Sequence, residues 1–132
     1  MIATFLNRIA DELKLSHAAK TKEKQTYLFE FANSVVVTVK DLDPGVSLKA
    51  PILACPKHKK EELYIQLMKA NLLGQGTGNG RIGMDLDEKT LTLSLGIPYE
   101  LSYQAFRETI EDFINYLIYW REEIRKFDNE QT

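Results

Sequence analysis

The sequence predicts an α+β domain in the order α-β-β-β-α-β-β-α, with an antiparallel twisted sheet packed by helices. Three observations predict it. Apolar residues recur at helical spacing near both ends of the chain, and two separate blocks between them alternate with a period of two. Within each block, strands follow one another without an intervening helix, which favours antiparallel pairing.

The first helix rests on Ile2, Phe5, Leu6, Ile9 and Leu13, with Arg8, Asp11 and Glu12 on the opposite face, and it is expected to end near Ser16. A polar run from His17 to Gln25 precedes a strand over Thr26 to Phe31, and Asn33 and Ser34 then make a turn. Val35, Val37 and Val39 mark one face of a second strand. Asp43-Pro44-Gly45 turns the chain into a third, from Ser47 to Ala54. A second helix is expected from about Lys59 to Leu73, with Glu61 and Glu62 at its positive end. After a glycine-rich connector, Ile82, Met84 and Leu86 alternate in a fourth strand, and Thr90 to Leu95 forms its hairpin partner. Ser102 is the expected N-cap of a long last helix, along which Phe106, Ile110, Phe113, Leu117, Trp120 and Ile124 step by four and three residues.

The chain has 132 residues, 44% hydrophobic and 27% charged, a globular composition sized for one core. We expect a single domain over residues 1–127 and a frayed polar tail over 128–132. Lys plus Arg number 17 against 19 Asp plus Glu, so the basic footprint of a nucleic-acid binder is missing. No stretch reaches the roughly 20 apolar residues of a membrane span. With one cysteine, Cys55, and no signal-peptide pattern at the start, the sequence reads as that of a cytosolic protein.

Motifs that carry chemistry are incomplete. Gly74 to Gly80 is glycine-rich, but a helix precedes it and a strand follows, the reverse of a nucleotide loop. A small-ligand or phosphate-binding regulatory domain using this loop is the alternative reading. Cys55 and His58 are two ligands at C-x-x-H spacing, with only His17 as a further histidine, too few for a metal site. Asp85-x-Asp87 opens like a calcium loop but lacks the later glycine and glutamate. Paired acids such as Glu111-Asp112 and Glu122-Glu123 fall on polar helix faces, where they solvate. No nucleophile, base and orienter stand together, so the reading is a non-enzyme with no catalytic, cofactor or metal residues.

The run Leu67-Met68-Lys69-Ala70-Asn71-Leu72-Leu73-Gly74, through Thr77-Gly78-Asn79-Gly80 into Arg81-Ile82-Gly83-Met84-Asp85, resembles the helix, glycine connector and strand of CesT-family class I type III secretion chaperones. Leu91 to Leu95, Ile97-Pro98 and Phe113-Ile114-Asn115 leading to Trp120-Arg121 look like the remaining strand and final helix of that family. The resemblance implies the same element order, a homodimer or a heterodimer with a sister chaperone, and residence in the bacterial cytosol. It further implies binding of the N-terminal segment of a secreted effector, which is kept stable and secretion-competent without ATP hydrolysis.

Two sets of candidate residues follow. Ile65, Met68 and Leu72 of the second helix, with Ile82 and Met84 of the next strand, carry more apolar surface than one sheet face covers, and they are the expected dimer interface. Phe5 and Ile9 of the first helix, with Tyr27, Leu28 and Phe29 of the first strand, are the expected effector-binding surface by analogy with the family.

Overall fold

The computed structural model describes residues 1–31, 35–72 and 76–130. It contains α1 (Ile2–Leu13), β1 (Ala19–Lys20), β2 (Thr26–Phe31), β3 (Val35–Asp41), β4 (Val46–Ala54), α2 (Lys60–Asn71), β5 (Arg81–Met84), β6 (Thr90–Ile97) and α3 (Tyr103–Glu130). The class is α+β, with an antiparallel sheet of six strands in the order β1-β2-β3-β4-β6-β5.

Five strands were expected, and the sixth is β1, in the polar run ahead of β2. Two exposed residues, Ala19 and Lys20, offer no alternation to read, and the ladder alone makes them a strand. Ala19 pairs with Leu28 and Lys20 with Tyr27, and Thr21 N–H extends the pairing to the Thr26 carbonyl at 3.0 Å. Helix α1 stops at Leu13 rather than near Ser16, because Lys14 takes the left-handed conformation at φ 57° and closes the helix end. The far end differs too. Asp128 to Glu130, read as part of a frayed tail, continue α3, which carries i,i+3 pairs of Glu122 with Arg125 and Glu123 with Lys126. The turn expected at Asn33 and Ser34 lies outside the described residues.

The chain forms two compact units. In the first, Met1–Ala50 with Leu95–Glu111, the apolar stripe of α1 is buried as its spacing requires, with Leu6 and Ile9 almost fully covered. Val35, Val37 and Val39 all point inward from β3, and Phe29 and Phe31 stack at 4.5 Å between ring centroids. Ser102 Oγ accepts from Ala105 N–H at 3.1 Å, which makes it the N-cap of α3.

In the second unit, Pro51–Ser94 with Asp112–Thr132, the core gathers Leu63 and Leu67 of α2, Leu91 and Leu93 of β6, and Leu117 and Ile124 of α3. Trp120 Nε1 donates to the Gly76 carbonyl at 2.7 Å, satisfying the one polar atom of a buried ring. Arg121 donates from Nε to the Ile52 carbonyl at 3.0 Å and from Nη2 to the Pro51 carbonyl at 2.9 Å. Partial burial lowers the pKa of that guanidinium, an effect that Arg125 reinforces.

Candidate interaction surfaces

In the second unit, α2 buries only Leu63 and Leu67 of its twelve residues. Large apolar side chains are left outside: on α2 Ile65 is 55% exposed and Met68 69%, and Leu72, which caps the helix, is 67% exposed. Tyr64, Leu67, Met68 and Asn71 of α2, Ile82, Gly83 and Met84 of β5 and Leu91 of β6 line a shallow apolar hollow of about 350 Å³. The structure therefore brings Met68, Ile82 and Met84 together around one depression, while Ile65 and Leu72 do not line it. Ile82 is buried and forms part of the wall rather than a protruding contact. Asn71, absent from the expected set, holds the two sides together. Its Nδ2 donates to the Ile82 carbonyl at 2.9 Å and its Oδ1 accepts from the Ile82 N–H at 2.8 Å.

In the first unit, the expected effector-binding residues separate by burial. Ile9 and Phe29 are buried and belong to the core, so a partner reaches neither without opening it; this corrects their assignment to a surface. The physical reason is the sheet alternation. Phe29 shares its face with Phe31, whereas Leu28 points outward and is 42% exposed. Tyr27 and Phe5 are half-buried. Phe5 stacks edge-on against Tyr103 at 5.5 Å and lies 5.7 Å from Phe106. Arg8 covers the Tyr103 ring at 3.9 Å, and Glu12 receives both the Tyr103 hydroxyl and the Arg107 guanidinium.

Beside Leu28 the sheet has an open edge. The Gln25 carbonyl, one residue ahead of β2, accepts from Asp41 N–H at the end of β3, and the Thr26 carbonyl accepts from Thr21 N–H beyond β1. Strand alternation then turns the backbone groups of Thr26, Leu28 and Glu30 toward β1. Leu28 meets Ala19, but β1 reaches no further, so the N–H and C=O of Glu30 face outward from the ladder.

The other candidate chemistry does not assemble. Cys55 Sγ lies 3.6 Å from the Pro56 carbonyl and 4.0 Å from the Tyr64 hydroxyl, a contact that raises the tyrosine pKa. His58 is exposed, and His17 pairs with Asp11 at 2.8 Å. Among the described residues no three His, Cys, Asp or Glu side chains converge as a metal site. Gly74 lies outside the described residues. In the rest of the glycine loop the N–H groups of Gly76 and Gly80 are spent on the Ala70 and Thr77 carbonyls, and Thr77 Oγ1 donates to the Gly80 carbonyl at 2.7 Å. These two donors are turned onto the chain itself and are not offered to a phosphate. Asp87 caps the β5–β6 turn by accepting from the N–H groups of Lys89 and Thr90, and those bonds hold its carboxyl below the usual range. No helix among the described residues is long and apolar enough to cross a membrane.

The model of the Tir chaperone protein (CesT) family matches residues 4–121. The chain belongs to the CesT family. No curated protein matches it significantly. Solved structures with the CesT-like fold of this chain include one from the ExsC–ExsE complex, 16% identical with a TM-score of 0.70, covering 92% of this chain and 91% of that one. A chain of the HopA1–SchA chaperone–effector complex is 18% identical with a TM-score of 0.66, covering 90% and 91%. One from the heterodimeric ExoU–SpcU complex of the type III secretion system of Pseudomonas aeruginosa is 16% identical with a TM-score of 0.63, covering 98% and 96%.

Proposed function

We propose that this CesT-family chain is a type III secretion chaperone: it binds the N-terminal segment of a secreted effector in the bacterial cytosol and keeps it secretion-competent without hydrolysing ATP. The observation that carries this reading is the family match over residues 4–121. Similarity to chains from chaperone–effector and secretion-system complexes supports it. An extended effector segment adds to the sheet at the edge beyond β1, using the outward backbone groups of Glu30, and sets an apolar side chain against Leu28. Main-chain pairing tolerates varied sequence, and the apolar contact gives preference. The segment orders on binding, and buried apolar area offsets the conformational entropy it loses.

The exposed apolar residues of α2 and β5 support a dimer of this chain, or of this chain with a sister chaperone. Met68 and Met84 would sit at its centre, with Ile65 and Leu72 alongside. Such an interface buries about 1,200–2,000 Å² in total when stable.

Co-purification from the native host tests the function. The chain should retain a polypeptide that is lost when that polypeptide's N-terminal segment is deleted, and hydrogen exchange should show protection around Leu28 and Glu30. Absence of any such polypeptide, or protection confined to residues 74–80, overturns the reading.

A further inference from the structure

Within the first unit a cavity of about 330 Å³ opens between the start of α1, the β3–β4 turn and the segment ahead of α3. Ile2, Phe5 and Val46 supply its apolar wall, Asp41, Asp43 and Glu100 supply carboxylates, and no lysine or arginine lines it. The turn that carries two of these carboxylates is held firmly. Asp41 N–H donates to the Gln25 carbonyl at 2.9 Å, and Leu42 N–H to the Gly45 carbonyl at 3.1 Å. Asp43 N–H donates to Asp41 Oδ1 at 3.0 Å. Gly45 has φ +99°, and a Cβ there would lie 2.0 Å from the Ile97 carbonyl oxygen, so the turn is pressed against backbone with no room for a side chain.

We propose that this cavity receives one basic side chain of the bound polypeptide, its aliphatic stem against Phe5 and Val46 and its cationic head among Asp41, Asp43 and Glu100. The inference rests on the polypeptide-binding reading above and names a chemical preference within it. Size limits the occupant: ligand cavities run from about 300 to 1,000 Å³, and this one, at the bottom of that range, suits a side chain rather than a cofactor. Charge selects its kind. Three carboxylates outnumber the one α-amino group of Met1, so an anion is repelled and a cation is attracted over a wholly apolar group. Lysine and arginine combine an apolar stem with a charged head, as this wall and rim require. The chain carries a net charge of only -2, so the negative character here is local and does not reflect a generally acidic surface.

The test is a ¹H–¹⁵N chemical-shift titration of the full chain with pentylguanidinium, 1-pentanol and pentanoate. Pentylguanidinium should shift the amides of Phe5, Asp41, Val46 and Leu101 saturably, 1-pentanol should bind about 3- to 10-fold more weakly, and pentanoate should not bind. The variant Asp41→Asn/Asp43→Asn/Glu100→Gln keeps an oxygen at position 41 for the turn, and it should weaken pentylguanidinium binding by the same factor while the remaining spectrum stays in place. No saturable shift, equal binding of 1-pentanol, or unchanged binding in the folded variant overturns the proposal. Co-purification is read in parallel. A retained polypeptide without pentylguanidinium binding removes this inference alone, whereas pentylguanidinium binding without any retained polypeptide removes the chaperone reading and leaves the cavity's preference for cations standing.

Discussion

The side chain of Asn71 pairs with both backbone groups of Ile82, donating to its carbonyl at 2.9 Å and accepting from its N–H at 2.8 Å. The carboxamide thus takes the place that a neighbouring strand would occupy on β5, the last strand of the sheet. An edge closed in this way is protected from adding a foreign strand at Ile82.

Asn71→Ala should cost about 1–3 kcal/mol, because two partly buried backbone groups lose their partner. Asn71→Asp should cost at least as much, since a carboxylate oxygen would then face the Ile82 carbonyl. Urea unfolding followed by circular dichroism measures both. A midpoint unchanged in either variant means that water replaces the carboxamide without loss.

Met68→Glu should convert a dimer into a folded 15.2 kDa monomer by setting an unpaired charge into the interface. Met68 is 69% exposed in the single chain, so the substitution should leave the monomer fold intact. Sedimentation equilibrium at micromolar concentration distinguishes the outcomes, and a wild-type chain that sediments as a monomer refutes the dimer directly.

Neighbouring residues of β2 should behave oppositely. Phe29→Ala removes a buried ring and should destabilise by about 3–5 kcal/mol. Leu28→Ser should change stability by about 0.5 kcal/mol or less while weakening effector retention. Thermal melts and pull-down on the two variants separate folding from binding. If Leu28→Ser retains its partner fully, the β2 edge is not the contact.

The Asp87 carboxyl is held below its ordinary pKa by the N–H groups of Lys89 and Thr90 and by the Thr90 hydroxyl. A group with a depressed folded pKa stabilises the protein above its unfolded pKa, and that contribution disappears as pH falls through the folded value. Wild type should therefore exceed Asp87→Ala in stability at neutral pH, and the gap should close on acidification below the carboxylate range. A gap independent of pH would assign the effect to the turn conformation instead.

Substituting Cys55, His58 and His17 together by alanine should leave effector retention unchanged, since the thiol and the two imidazoles converge on no common point. Loss of retention in a folded triple variant, scored by pull-down, would reveal a role for one of them.

The elements legible in the sequence were those whose own residues repeat. The valines of β3, the leucines of β6 and the four-and-three stepping of α3 each carry their period locally, and Ser102 announces the start of α3 by its type. What stayed hidden depends on partners far along the chain. Ala19 and Lys20 are a strand only because Leu28 and Tyr27 lie opposite. The bonds between Asn71 and Ile82 join residues eleven positions apart and leave no periodic trace. Phe29 and Leu28 were grouped together by analogy with the family, and since Tyr27-Leu28-Phe29 is apolar at every position, alternation alone did not separate them. Ile82 was placed on a surface together with Met84 as apolar area in excess of one sheet face, yet of the four residues of β5 it is the one that is buried.

Gly83 lies in the hollow between α2 and β5, and a Cβ built on it would meet nothing within 4 Å. A Cβ introduced there displaces no neighbour, so a side chain can be placed at the mouth of the hollow, beside whatever fills it. A photoreactive amino acid at position 83 would therefore record, by the crosslinks it forms in living cells, which molecule occupies that hollow.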